Sequence, residues 1–339
     1  MKHIALDTPD HFVAGHSPEP TPGPKDAIVR IHRVGICGTD LHAYHGRQPY
    51  FDYPRILGHE LGIEVVALGS EATGVHVGDY CSVEPYMNCG KCIACRRGKP
   101  NCCSNLQVLG VHSDGGMRPF MRVPAAKLHP SKKLTLDQLA LVETLGIGAH
   151  AVERASLAPD DFALVIGAGP IGLSVIQFAL ASGATVVVMD ISDGRLEFCR
   201  QNLGVRHTVR PGEQLQDELM SIFDGDLPTA VIDATGNARS MAATFDLPAN
   251  GGRIVFVGLI QGDVTFSDPN FHRRELTLLA SRNALPGTFN SIISAIEDGA
   301  IDTTPWITHR LTLDEVPDRF AQVVADPTLR KGMIEVATT

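Results

Sequence analysis

Residues 162–190 constrain the fold more tightly than any other part of the 339-residue chain. Phe162-Ala163-Leu164-Val165-Ile166 is an uninterrupted apolar run, Gly167-Ala168-Gly169-Pro170-Ile171-Gly172 follows at once, and a helix-like stretch then runs to Ser182. A second apolar run, Thr185–Met189, ends on Asp190. Glycine-rich turns are common, but one held between a strand and a helix, with an acid closing the next strand, has the context of a dinucleotide-binding unit. Gly167 permits the tight turn, Gly169 lets the backbone approach a pyrophosphate, and Gly172 lets helix and strand pack closely. The phosphates would meet the amides of the helix that Pro170 and Ile171 open. Asp190 would bind ribose hydroxyls and repel a 2′-phosphate, which favours NAD over NADP, although Arg195 could receive that phosphate.

Further apolar runs at 229–234, 253–257 and 276–280, separated by helical intervals, predict a parallel doubly wound α/β sheet. Thr235, Gly258 and Arg282 complete the candidate cofactor set. The chain length favours two domains. The first ~150 residues have a different texture, with short β-like runs such as 27–34 and 62–68 broken by Gly and Pro. They predict a mostly antiparallel β domain with no long amphipathic helix before Leu136. Past Pro286, helix-like pieces at 291–297 and 314–324 flank a β-like piece at 306–311. A net charge of −9 argues against nucleic acid or an anionic membrane as a partner. The most apolar stretch, 173–189, is broken by Ser174, Gln177, Ser182 and Gly183, and the start of the chain lacks a signal-like apolar core. A soluble, cytoplasmic protein is expected.

Eight cysteines occur, and five of them, Cys89, Cys92, Cys95, Cys102 and Cys103, fall within fifteen residues. In a reducing compartment, CxxC spacing points to metal rather than disulfides. Four thiolates suit a closed structural zinc site, with an iron–sulfur cluster as the alternative. Spacing does not choose between Cys102 and Cys103 for the fourth position. A four-thiolate site has no open position, so the chemistry has to lie elsewhere.

A second group of donors is more dispersed. Gly35-Ile36-Cys37-Gly38-Thr39-Asp40-Leu41-His42 is followed by Gly58-His59-Glu60 and later by Val142-Glu143-Thr144. Each is weak alone. With the nicotinamide-type turn, the cysteine lobe, Asp114-Gly115-Gly116 and Glu-x-Leu-Gly-Ile-Gly-x-His-Ala, they resemble, in order and over essentially the whole chain, the zinc-dependent medium-chain alcohol and polyol dehydrogenases. The resemblance implies a GroES-like β domain over residues 1–148 and 287–339, carrying the zinc lobe at about 86–104, around a Rossmann domain at 149–286. It implies two zinc ions per chain and NAD. The structural ion falls on Cys89, Cys92, Cys95 and Cys103, and the catalytic ion on Cys37 and His59. Glu143 takes the third position of the polyol and threonine dehydrogenase branch, where alcohol dehydrogenase has a second cysteine; Glu60 is expected to exchange with it or support it. Asp40 would orient His59.

The implied reaction oxidises a secondary alcohol. Its proton leaves through Thr39, the cofactor ribose and His42, and its hydride goes to nicotinamide, leaving a ketone. Residues 44–50 and 281–283 align with segments that approach substrate or nicotinamide in polyol dehydrogenases, and Arg282 could hold a hydroxyl-rich chain or a carboxylate. The wording of 46–49 and 110–116 leans towards dehydrogenases of sugar acids such as L-galactonate or L-gulonate, over sorbitol-like polyols and L-threonine. Thr144, where proline is usual, and Met117-Arg118-Pro119-Phe120, where Phe-x-Glu-Tyr is usual, depart from the family pattern. The competing readings are an NAD-binding sensor without turnover, a zinc-ribbon nucleic-acid binder using Lys91, Arg96, Arg97 and Lys99, and a zinc-free quinone reductase. A hydroxylated small molecule is the expected partner, in a homodimer or homotetramer.

Overall fold

The apolar runs around the glycine turn become the middle of a six-stranded parallel sheet in a computed structural model that describes residues 1–48 and 51–336. Its strands lie in the order His207–Val209, Thr185–Met189, Phe162–Ile166, Ala230–Asp233, Arg253–Phe256 and Thr277–Ala280. Every pairing is parallel. The chain therefore leaves the central strand Phe162–Ile166 in one direction and returns on its other side at Ala230–Asp233. Such a reversal opens a crevice beyond the carboxyl ends of the two strands. Val187, Val188, Val231, Ile232, Ile254 and Val255 are buried, as strands covered on both faces must be. The run at 276–280 differs from its expected burial: Thr277–Ala280 is the sheet edge, and Leu278 is exposed.

The chain divides into two units. The first comprises Met1–Thr144, Leu285–Gly299 and Thr303–Thr339, and the second Leu145–Ala284 with Ala300–Asp302. The first unit is built on the long strand Asp26–Ile36, which pairs antiparallel with Glu60–Leu68, Phe120–Pro124 and the C-terminal strand Lys331–Glu335. Register then decides the chemistry. Gly35 stands opposite Glu60, and Ile36 stands opposite Gly332. The end of one strand thus gathers Cys37, the His59-Glu60 pair and Lys331, from three distant parts of the sequence. A Cβ at Gly35 would lie 2.0 Å from Glu60 Oε2, so any side chain there would displace that carboxylate. A core of Ile4, Leu6, Val29, Ile31, Leu61, Ile63 and Phe320 supports the sheet. Among the described residues, no helix is long and apolar enough to cross a membrane.

Candidate functional site

Cys89, Cys92, Cys95 and Cys103 bring their sulfurs within 4.8 Å of one another, while Cys102 is exposed and outside the group. None is in a disulfide. Cys92 Sγ is 3.5 Å from Cys95 Sγ and 3.8 Å from Cys103 Sγ. A tetrahedron with Zn–S bonds of about 2.3 Å has edges of about 3.8 Å, so the donor set fits one zinc ion. A multi-iron cluster would hold its thiolates further apart. Backbone amides already face the sulfurs as they would face thiolates: Cys89 N–H donates to Cys103 Sγ at 3.3 Å and Cys92 N–H to Cys89 Sγ at 3.4 Å. The amides of Cys95 and Ser104 draw the Cys92 thiol down to about 5.

The second donor group is buried deeper. Cys37, His59 and Glu60 place ligand atoms within 4.8 Å of one another. Cys37 caps the short helix Gly38–Tyr44, and its N–H donates to Asp40 Oδ2 at 2.9 Å. Asp40 Oδ1 lies 3.8 Å from His59 Nδ1, and neither atom has a hydrogen-bond partner among the described residues. A cation on the opposite ring nitrogen would fix the tautomer that points Nδ1–H at this carboxylate, as metal-binding histidines commonly do. A half-buried cysteine sulfur with a buried imidazole and carboxylate, set around unsatisfied polar atoms, fits zinc.

The carboxylates are where the geometry departs from the sequence expectation. Glu143, expected as the resident third ligand, lies outside the compact trio, and Glu60 lies within it. Tyr86 donates its hydroxyl to Glu143 Oε1, and both residues are buried. Glu60 pairs with Lys331, whose Nζ is 2.6 Å from Oε1 and also donates to Thr144 Oγ1 at 3.1 Å. Thr144, the departure from the family's proline, thus supplies an acceptor to a buried ammonium. Burial opposes the charge of Glu60, but Lys331 and His59 override it and hold the carboxyl below its usual value. Burial raises Glu143 above its usual value. His59 is raised well above its own, because Cys37 and Asp40 outweigh its burial.

Lys331 and Tyr86 were not legible as site residues, since no motif marks either. Lys331→Met would leave Glu60 buried without its counter-charge, an expected loss of about 3–5 kcal/mol in metal-free protein. Urea unfolding with and without zinc checks this. A cation should restore part of the loss, and equal stability of variant and parent would show the pair to be dispensable.

Thr39 is half-buried and His42 exposed, one turn apart on the helix Gly38–Tyr44. Loss of solvent around the His42 ring, with Arg47 and His45 beside it, lowers its pKa. Tyr44 turns into the core against Phe12 and Phe320, while Pro49 and Tyr50 lie outside the described residues.

In the second unit a cavity of about 980 Å³ is lined by Gly167, Gly169, Pro170, Ile171, Asp190, Arg195 and Thr235. Gly167 has φ +94°, and a Cβ on Gly172 would lie 1.8 Å from the Gly167 carbonyl oxygen, so both glycines are obligatory. A Cβ on Gly169 would meet only Arg195 Nη1, at 4.0 Å, which leaves the turn open to a ligand. Asp190 is buried and accepts from Ala168 N–H at 2.7 Å and Ser192 N–H at 2.8 Å, with Arg195 3.8 Å away. Thr235 is held by Asp233, which accepts from its amide and hydroxyl. Asn237 and Arg239 also line the cavity and were missed, because the short helix Ala238–Ala243 that Asn237 caps carries no motif. Gly258 packs against the Gly236 amide; Arg282 is exposed, and neither lines this cavity.

Residues 23–133 match the alcohol dehydrogenase GroES-like domain, and residues 170–298 match the zinc-binding dehydrogenase domain. The chain is 41% identical over 335 residues to L-galactonate-5-dehydrogenase of Escherichia coli K12, covering 98% of each protein. It is 34% identical over 316 residues to D-altritol 5-dehydrogenase of Agrobacterium fabrum, covering 91% of each. A crystal structure of an alcohol dehydrogenase from Escherichia coli CFT073, complexed with NADH, superposes with a TM-score of 0.92 at 29% identity and 99% coverage of both chains. The doubly wound and GroES-like expectations therefore hold, and the chain belongs to the zinc-dependent medium-chain dehydrogenase family.

Proposed function

We propose that this protein oxidises a secondary alcohol of a sugar acid or polyol to a ketone with NAD as hydride acceptor. The observation that carries the reading is the compact Cys37–His59–Glu60 donor set in a chain similar over 98% of its length to an L-galactonate-5-dehydrogenase. Zinc, when bound, polarises a hydroxyl and lowers its pKa towards neutrality, and the nicotinamide accepts hydride. Cys37, His59 and Glu60 hold the ion, and Asp40 sets the His59 tautomer. The Thr39 hydroxyl relays the substrate's proton, accepting it as it releases its own towards His42, which passes a proton to solvent. The turn Gly167–Gly172 receives the pyrophosphate, and Asp190 the adenosine ribose. A homodimer or homotetramer in the cytoplasm belongs to the same proposal.

The test is NADH formation by zinc-replete protein with NAD and a panel of L-galactonate, L-gulonate, sorbitol, galactitol, L-threonine and simple secondary alcohols. Selective turnover of the sugar acids supports the reading. Preference for L-threonine moves the substrate class, and no turnover at all, with NADH bound, returns the protein to the sensor class.

Two results follow for variants. His42 lies below its usual value of 6.5, so it is neutral at pH 7 and able to take a proton. The acid limb of kcat/KM is expected below pH 6.5 and should vanish in His42→Ala; a limb that survives assigns the relay elsewhere. At Asp190, charge-assisted hydrogen bonds of about 1.5–3 kcal/mol are at stake. Asp190→Asn should weaken NADH roughly tenfold and narrow the preference over NADPH, measured by fluorescence titration. An unchanged ratio would clear Asp190 of cofactor selection.

A further inference from the structure

We propose that Tyr86 is a positioning residue for the metal centre: its hydroxyl keeps Glu143 beside the Cys37–His59–Glu60 set and out of it. The inference rests on the reading of that set as the catalytic zinc site.

Two buried glutamates stand near one centre, and each is tied by a different partner. Glu60 has its ligand atom within the trio and its charge balanced by Lys331. Glu143 sits outside the trio with Oε1 occupied by the Tyr86 hydroxyl. An oxygen that accepts a phenolic hydrogen bond is a poorer metal donor than a free one. The distinction matters because zinc in a catalytic site needs three protein ligands and an open fourth position. A second carboxylate entering the set would fill the place a substrate hydroxyl requires.

The segment that carries Tyr86 is built to hold it. Tyr86–Met87 pairs antiparallel with Gln107–Val108. Lys127 Nζ grips Glu84 on one side of Tyr86 and donates to Asn88 Oδ1 at 3.1 Å on the other. Asn88 Nδ2 in turn donates to Cys95 Sγ at 3.6 Å, so the four-thiolate lobe anchors this segment. The Tyr86 ring stands edge-on to Phe289, with centroids 6.3 Å apart. The packing of the ring and the hydrogen bond of the hydroxyl are therefore separable by substitution.

Tyr86→Phe removes the hydroxyl and keeps the ring. With Glu143 released into the set, loss of the second zinc to a chromophoric chelator should slow at least tenfold, and the visible spectrum of the Co²⁺-loaded protein should change. KM for the alcohol should rise as the open position closes, and Tyr86→Phe with Glu143→Gln should return to the parent rate of metal loss. Faster metal loss in Tyr86→Phe would make Glu143 a ligand that Tyr86 supports; an unchanged rate with an unchanged Co²⁺ spectrum would leave Tyr86 no role. Either result overturns the proposal. Should Tyr86→Phe fail to fold, the single variants decide. Glu143→Gln should change metal loss less than twofold and Glu60→Gln speed it at least tenfold, and the reverse ranking overturns the proposal. A parent protein that binds only the lobe's zinc would sink the catalytic-zinc reading itself, which is a separate result from two bound ions and a silent Tyr86→Phe.

Discussion

Cys37→Ser is expected to lower kcat/KM roughly 10³-fold or more while the fold, the lobe's zinc and NADH binding stay intact. Serine is nearly isosteric and a good N-cap for the helix Gly38–Tyr44, and the Cys37 backbone N–H is held by the Asp40 carboxylate in any case. What disappears is the thiolate, the softest donor of the set and one of the two anionic charges that a dication needs there. Polarisation of a bound hydroxyl by a metal contributes several kcal/mol, and each 1.36 kcal/mol is tenfold in rate. Metal analysis should fall from two ions per chain to one in parallel with turnover. Parent-like turnover with a single zinc per chain would remove Cys37 from the chemistry.

Cys103→Ser is expected to be the most damaging change to the lobe, and Cys102→Ser one of the mildest in the protein. The lobe has almost no core of its own. Its helix Ile93–Arg96 is one turn long and contains no buried residue, and Ile93 is 63% exposed. A single turn does not persist on its own hydrogen bonds. The order of this segment therefore depends on the ion, whose binding free energy is its folding free energy. Loss of one thiolate should release one zinc and open residues 88–105 to limited proteolysis. Turnover should fall as well, because Asn88 and Tyr86 run on from the lobe towards Glu143. Cys102 is exposed and outside the four, so its substitution should stay within about 0.5 kcal/mol. Equal damage from both variants would return the fourth ligand to doubt.

The sequence by itself determined what is local. The strand, glycine turn, helix and closing acid of 162–190 are contiguous, and each has a steric or electrostatic reason readable from residue type. The CxxC thiolates are likewise within reach of one another whatever the rest of the chain does. The spacing left Cys102 and Cys103 equivalent, and a 3₁₀ turn over Pro100–Cys102 decided between them by leaving Cys102 exposed and Cys103 in the group. Cys37 and His59 stood out through their motifs. The division of labour between Glu60 and Glu143 did not, because it depends on partners that no motif contains. Lys331, the only lysine after Lys133, reads as an ordinary C-terminal charge until the strand Lys331–Glu335 pairs with Asp26–Ile36 and buries it against Glu60. Tyr86 reads as a core aromatic until Leu136–Ala155 brings Glu143 to its hydroxyl. Pairing register and helix packing act between residues tens to hundreds of positions apart, and only the tertiary structure decides which buried charge meets which partner.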